Sequence, residues 1–315
     1  MARATVLLTT VLLATVLQTT GEAGITAVVA ADTSAAVTTA AGSQAGAGIT
    51  ADAGDAWAGL ADRFVRRHYG TVRGRVRTFV IDAHLRAHLP PPPADVVDVG
   101  GGGGNQSIPL ARAGYRVTIA DPSPAMLAEA ARTLESEHPD VAARVRLVTA
   151  SAEEAGAALG GQRFAGVLCH GVIMYIDDPR PFVAALAGLA APGGVVSVVA
   201  KNARCLATRP ALEGRWADAL AAFDGDRQVN GLGLDTRADT VEELSALLAG
   251  AGVVPVTWYG VRLFTDGWVH AYDQADGGDA GGSGMNAMLA VELEASRRDP
   301  YRQLSRLFHL VGVRA

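Results

Sequence analysis

The stretch VVDVGGGGGN, residues 96–105, decides the fold predicted for this chain. A short apolar run that ends at glycines and precedes the apolar positions of residues 108–113 predicts a buried strand, a tight turn and a helix. Glycines suit this turn because the backbone has to pass close to a ligand, and the first N–H groups of the helix have no partner within it. The next predicted strand, residues 115–120, ends at Asp121, whose carboxylate can accept both hydroxyls of a ribose. The stretch therefore predicts a nucleotide-type binding unit.

The spacing of the glycines separates two kinds of ligand for such a unit. The dinucleotide fingerprint Gly-x-Gly-x-x-Gly needs a third glycine, but every register that begins on two suitable glycines places one of residues 105–107 there. A nicotinamide site and a flexible linker stay open as alternatives, and the strands on both sides disfavour the linker. The pattern Asp-x-Gly-x-Gly-x-Gly instead resembles the first motif of class I S-adenosylmethionine-dependent methyltransferases, formed here by Asp98, Gly100, Gly102 and Gly104.

Composition limits the classes of protein to which the chain can belong. With 49% hydrophobic and 19% charged residues, the chain is expected to be globular. The net charge of −5 argues against a strongly basic nucleic-acid-binding protein but leaves room for a local basic patch. Cys169 and Cys205 match neither a metal-binding spacing nor a disulfide framework, so a reducing compartment and no metal are expected.

Residues 1–53 form an extension made mostly of Ala, Thr, Val and Gly. Its apolar run at residues 5–17 follows Arg3 and resembles the core of a signal peptide, but it is too short for a comfortable membrane span. A dispensable or wrongly assigned extension, a disordered tail and a true targeting segment are the alternatives. An enzyme that consumes S-adenosylmethionine finds none outside the cell, so we expect a cytoplasmic protein without a membrane partner.

The rest of the chain alternates strands with helices, which predicts a doubly wound α/β fold. We expect one methyltransferase domain at residues 54–315, with a helical cap at 54–90 that breaks at Gly70 and a substrate cover at 202–240. Residues 274–284 predict a mobile loop. The sheet should be mostly parallel and seven-stranded with an antiparallel last strand, and its predicted strands are residues 96–99, 115–120, 144–148, 164–169, 195–200, 253–264 and 305–313.

Several segments in one order along residues 57–314 resemble the tRNA 5-carboxymethoxyuridine methyltransferase group. The segments are RHYGT at 67–71 with Arg77, VVDVGGGGG at 96–104, CHGV at 169–172, DP at 178–179, KNA at 201–203, GVRLF at 260–264 and DPY at 299–301. The resemblance implies methyl transfer to the carboxylate of a modified wobble uridine in tRNA. It also implies a cofactor site built from Arg77, Gly100, Gly101, Gly102, Asp121, Ala152, Glu153 and His170. The family often has an acidic–aromatic pair where this chain has Met174-Tyr175, a departure on the substrate side.

The type of methyl acceptor determines whether a base is needed. A carboxylate is already ionised at neutral pH and needs none, whereas a phenol or amine would use His170 first and Tyr175 next. His170 can instead merely pack against or bond the cofactor, and Arg262 can either bind an anionic substrate or form a structural ion pair. Methylation of oxygen or nitrogen in a small metabolite is the alternative function, and a non-catalytic cofactor-binding protein is the third.

Overall fold

The computed structural model describes residues 71–230, 233–267 and 283–315. The predicted N-terminal extension, the first helix of the predicted cap and nearly all of the predicted loop at 274–284 lie outside the described residues. Domain boundaries therefore stay a prediction.

Seven strands of the described residues form one sheet. They are β1 (Asp95–Val99), β2 (Arg116–Asp121), β3 (Val145–Thr149), β4 (Phe164–His170), β5 (Ala190–Lys201), β8 (Val253–Val261) and β9 (Leu307–Arg314). Their order across the sheet is β3-β2-β1-β4-β5-β9-β8. Strands β1 to β5 pair in parallel, and β9 pairs antiparallel with both β5 and β8. The predicted doubly wound sheet with an antiparallel last strand is confirmed. The strand order reverses between β1 and β4, and ligands of such sheets bind at this point, outside the carboxyl ends of the strands.

Helices cover both faces of the sheet. They are α1 (Val72–His88), α2 (Ser107–Arg112), α3 (Pro124–Glu135), α4 (Pro139–Ala142), α5 (Ala152–Ala158), α6 (Pro179–Leu189), α7 (Thr208–Leu212), α8 (Trp216–Ala221), α9 (Val241–Gly250), α10 (Phe264–Gly267) and α11 (Ser283–Ala295). One buried cluster joins α1 to the sheet through residues such as Val80 and Val199. A second cluster joins α6 and α9 to the opposite face through residues such as Leu186 and Leu244. Burial on both faces explains why the parallel strands are nearly continuous apolar runs.

The structure corrects two strand boundaries. Strand β8 ends at Val261 and not at Phe264, because Arg262 takes a left-handed backbone conformation with φ 64° and α10 begins two residues later. Strand β5 begins at Ala190, before the predicted turn at 192–194, and the pairing register with β4 shifts there. Neither correction moves the carboxyl ends of β1, β2, β4 and β5.

The predicted cover at 202–240 contains α7, α8 and a hairpin of β6 (Arg227–Val229) and β7 (Asp235–Arg237). The sequence showed few strand signals there, so the hairpin is a difference from the prediction. Its strands are short and polar, and an ion pair of 2.6 Å between Arg227 and Asp235 joins them. Within the described ranges, no helix combines the length and apolar character needed to cross a membrane.

Candidate active site

The turn after β1 runs through glycines whose backbone is left-handed. Gly100, Gly102 and Gly104 have φ values of 69°, 54° and 77°, which residues with a side chain rarely adopt. A Cβ at Gly100 would overlap the Cγ2 methyl of Val172, in the segment that follows β4. A Cβ at Gly101 would lie 2.8 Å from Cγ of Asp98. The glycines therefore let the loop pass closely over β1 and β4, and they form a cradle that side chains would fill.

Asp121 lies at the end of β2 and holds this loop. Its Oδ2 accepts the backbone N–H of Gly102 at 2.9 Å, and its Oδ1 accepts that of Ser123, also at 2.9 Å. Each oxygen keeps a second lone pair that can accept a further hydrogen bond. The contact of this carboxylate with the two hydroxyls of a ribose stays a prediction. Burial raises the pKa of Asp121, and the two N–H bonds oppose that shift.

Asp98 is the buried carboxylate within β1. Its Oδ2 accepts the hydroxyl of Ser107, the first residue of α2, at 2.7 Å. Burial raises the pKa of Asp98 to about 6, while the Ser107 bond and the charge of Arg77 lower it. Asp98 thus connects the strand to the helix on the far side of the glycine turn.

Arg77 and His170 meet at the carboxyl end of β4. Nη2 of Arg77, from α1, donates to the carbonyl oxygen of His170 at 2.9 Å. The ring of His170 is buried, and its Nε2 lies 2.8 Å from Oγ of Ser197. Burial, and next the charge of Arg77, hold the pKa of His170 well below its usual value. The neutral imidazole is accordingly a weak base.

Comparison with known proteins places this geometry in a family. A family model of a methyltransferase domain matches residues 97–196, which run from β1 into β5. The tRNA 5-carboxymethoxyuridine methyltransferase of Escherichia coli K12 is 27% identical over 256 residues, covering 80% of this chain and 94% of that protein. The matched domain coincides with the glycine turn, Asp121 and His170. The chain is a class I S-adenosylmethionine-dependent methyltransferase.

Other relatives match less of their length or only in fold. The ubiquinone biosynthesis O-methyltransferase of Cereibacter sphaeroides KD131 is 36% identical over 115 residues, 36% of this chain and 44% of that protein. The structure of magnesium protoporphyrin IX methyltransferase from Synechocystis PCC 6803 has a TM-score of 0.55 and 17% identity, and covers 84% of this chain and 98% of that one. The CcbJ methyltransferase of Streptomyces caelestis has a TM-score of 0.53 and 16% identity, and covers 81% and 96%. The two solved structures show the shared fold alone.

Two further residues predicted for the cofactor site of the methyltransferase lie at the start of α5. Ala152 is buried, whereas the Glu153 side chain is exposed. Ser151 precedes them and caps α5. Its hydroxyl accepts the N–H of Glu154 at 3.3 Å, and the Glu154 carboxylate accepts the N–H of Ser151 at 3.0 Å. The backbone of Ala152 is therefore held in place beside the end of β3.

The residues predicted for the substrate side are divided between two places. The hydroxyl of Tyr175 accepts from Nδ2 of Asn230 at 3.2 Å, which links the segment after β4 to the turn of the β6–β7 hairpin. Arg262 forms an ion pair with Asp266, which also lies 3.2 Å from Nε of Arg306. The ion-pair alternative for Arg262 is thus present in the structure, and its role toward a substrate stays a prediction.

Sequence reasoning missed four residues that hold the predicted site residues in place. The hydroxyl of Ser107 donates to Asp98, the backbone N–H of Ser123 donates to Asp121, and the hydroxyl of Ser197 joins His170 to His309. The available sign was a single polar residue within an apolar strand, as for Ser197 and His309. Such a residue is usually hydrogen-bonded when buried.

Replacing Gly100 with alanine should weaken cofactor binding by the methyltransferase. The new Cβ would displace Val172, and the left-handed backbone adds a cost of roughly 1 kcal/mol. We expect the dissociation constant of S-adenosylhomocysteine, measured by calorimetry, to rise about tenfold, which is the equivalent of about 1.4 kcal/mol.

Gly160→Ala is the matched control for this effect. Gly160 has φ 63°, but beyond its chain neighbours no atom of the described residues lies within 4 Å of the place that a Cβ would take there. The variant therefore carries the backbone cost without the overlap. The double variant Gly100→Ala with Val172→Ala should recover part of the affinity. Equal losses in G100A and G160A would contradict the steric explanation.

Proposed function

We propose that this methyltransferase transfers a methyl group to the carboxylate of a modified wobble uridine in tRNA, in the cytoplasm. The observation that carries the proposal is the extent of the similarity. It spans 94% of the E. coli tRNA 5-carboxymethoxyuridine methyltransferase, including the regions outside the matched domain that the acceptor would contact. Similarity to the ubiquinone biosynthesis O-methyltransferase spans only 44% of that protein.

The protonation chemistry of the site supports an acceptor that is already anionic. Methyl transfer is an in-line displacement, so the protein mainly aligns the two reactants and excludes water. S-adenosylmethionine, when bound, supplies the methyl group of its sulfonium. His170 has a pKa far below that of a phenol or an ammonium group, and its Nε2 is engaged by Ser197, which makes it a poor base for such acceptors. A carboxylate requires no proton removal.

Positive charge at the carboxyl end of β5 supports an anionic acceptor as well. Nζ of Lys201 is buried and donates to Oγ1 of Thr236 in β7 at 3.0 Å. Burial, and next the charge of Arg306, lower the pKa of Lys201 to about 7. A carboxylate placed beside this group would stabilise its charged form. We propose that Lys201, together with Arg262, faces the acceptor.

Transfer of labelled methyl from S-adenosylmethionine to total tRNA tests the proposal. We expect label in tRNA that mild base releases, because a methyl ester hydrolyses whereas a methyl group on a ring carbon or nitrogen does not. The KM for tRNA should rise steeply with salt, since phosphate contacts release counterions. A small-molecule extract of the host, assayed in parallel, is the comparison. Base-stable label in tRNA, or label in small molecules alone, would refute the tRNA carboxylate.

Oxygen or nitrogen methylation of a small apolar metabolite is the second candidate. Trp216, Leu220 and Phe223 follow helical spacing along and just beyond α8, and their exposed fractions are 71%, 72% and 76%. An apolar acceptor would find contact area on such side chains. This candidate predicts label in the metabolite extract and little dependence of its KM on salt.

A further inference from the structure

Four side chains lie on one row across the sheet, beneath α1. The Cα pairings align His170 of β4 with Val199 of β5, then with His309 of β9 and Tyr259 of β8. Ser197 precedes Val199 by two residues, so it lies on the same face of the sheet. The polar side chains of His170, Ser197, His309 and Tyr259 therefore lie on one face of the sheet, from the carboxyl end of β4 across β5 and β9 to β8.

Ser197 is the link between the two histidines of this row. Its Oγ lies 2.8 Å from Nε2 of His170 and 2.6 Å from Nε2 of His309. A hydroxyl has one proton, so it donates to one ring nitrogen and accepts from the other. Burial keeps both imidazoles neutral. The two histidines must therefore be opposite tautomers, one protonated at Nε2 and the other at Nδ1.

The surroundings of the two Nδ1 atoms distinguish the two arrangements. Both atoms are buried and have no hydrogen-bond partner among the described residues. His309 is fully buried, whereas His170 keeps 8% of its surface exposed at the ligand-binding end of β4. A buried N–H without an acceptor costs free energy. A ligand can accept a hydrogen bond from Nδ1–H only at His170, because only that ring is partly exposed.

The neighbouring histidine offers no acceptor to His309. His84 of α1 lies 5.7 Å from His309 between ring centres and makes no hydrogen bond with it. Nε2 of His84 lies 2.9 Å from Oγ of Ser296, whose own proton goes to the carbonyl of Leu293 at 2.6 Å. His84 therefore donates from Nε2 to the hydroxyl oxygen of Ser296.

We propose that Ser197 and His309 are positioning residues that hold His170 as the Nδ1–H tautomer. In this arrangement His309 donates from Nε2 to Ser197, and Ser197 donates to Nε2 of His170. His170 then presents a fixed N–H donor to an oxygen of the bound cofactor, a carboxylate or a hydroxyl. This step rests on the proposed place of His170 in the cofactor site.

Nitrogen NMR of the protein labelled with ¹⁵N in its histidine rings reads the tautomers directly. We expect a protonated Nδ1 and an unprotonated Nε2 for His170, and the reverse for His309, with S-adenosylhomocysteine bound. Through-bond correlation of each ring with its own assigned backbone amide identifies the resonances in the wild-type protein without any variant. The opposite pattern in the wild-type protein would overturn the proposal even if every variant failed to fold.

A matched pair of substitutions at His309 separates positioning from packing. In H309Q the amide can still donate to Ser197, whereas in H309L nothing donates. We expect the dissociation constant of S-adenosylhomocysteine to change less than about twofold in H309Q and to rise about tenfold in H309L and S197A, the value of one hydrogen bond. The KM for S-adenosylmethionine should follow, with kcat changed less.

Equal losses of affinity in H309Q and H309L would mean that His309 serves packing alone and would overturn the proposal. Neither the NMR spectra nor binding of S-adenosylhomocysteine involves the methyl acceptor. A failure of the tRNA proposal would therefore leave these results unchanged, and the two failures can be told apart.

Discussion

Replacing Asp121 with asparagine should raise the dissociation constant of S-adenosylhomocysteine by about 100-fold, the equivalent of about 3 kcal/mol. The two carboxylate oxygens accept the N–H groups of Gly102 and Ser123, both at 2.9 Å. Asparagine has one acceptor oxygen, so its amide group would face one of these N–H donors. The variant also loses acceptor capacity for the ribose hydroxyls. Both losses act on the same loop, which is why we expect a larger effect than for G100A.

Calorimetric titration with S-adenosylhomocysteine measures this loss, and Asp140→Asn is its control. Asp140 is exposed at the start of α4, so the control makes the same change of charge away from the glycine loop. Thermal unfolding of D121N should show a folded protein, since asparagine has nearly the same size and shape as the buried aspartate. An affinity within threefold of wild type would remove Asp121 from the cofactor site.

The parallel core of the fold could be predicted because its strands are buried on both faces. Residues 164–169 and 195–200 are apolar runs bounded by turn residues, and they lie within β4 and β5. Such a run has no competing structure once helices alternate with it. The antiparallel last strand could be predicted from two successive strand patterns near the end of the chain.

Elements stabilised by polar contacts could not be predicted in the same way. The β6–β7 hairpin has no apolar alternation, and the ion pair of Arg227 with Asp235 becomes visible only when the strands are paired. Helix α5 did carry a local sign, the capping box of Ser151 and Glu154, which sequence reasoning did not use. The end of β8 depends on one residue, Arg262, whose backbone has a positive φ that residues other than glycine rarely adopt.

The residues of the candidate site likewise differ in how far the sequence could predict them. The glycines, Asp98 and Asp121 lie within one segment that contains a strand, a turn, a helix and the next strand, so local spacing was sufficient to predict them as site residues. The partners of His170 depend on contacts between distant segments, since Ser197 and His309 are 112 residues apart in the chain. A lone serine in an apolar strand predicts a buried hydrogen bond, but the sequence does not identify its partner.

Acid should destabilise the methyltransferase through its buried histidines. Burial lowers the pKa of His84 to about 3 and holds those of His170 and His309 well below the usual value. Below pH 6.5 the unfolded chain binds a proton at each histidine that the folded chain does not bind. The free energy of unfolding therefore falls as the pH falls, by up to about 1.4 kcal/mol per pH unit for each histidine. For His84 this loss continues until its folded pKa near 3 is reached.

The buried aspartates act in the opposite direction, so a difference between variants is the sharper measurement. Asp98, with its pKa raised to about 6, takes up a proton in the folded state first, and this uptake offsets part of the loss on acidification. In H84Q the amide can still donate to Ser296, but one titrating ring is gone. Urea unfolding between pH 7.5 and 5.0 should therefore show H84Q losing about 2 kcal/mol less than wild type over that range. Parallel curves for H84Q and wild type would mean that His84 titrates alike in the folded and unfolded chains. That result would contradict the claim that burial keeps His84 neutral.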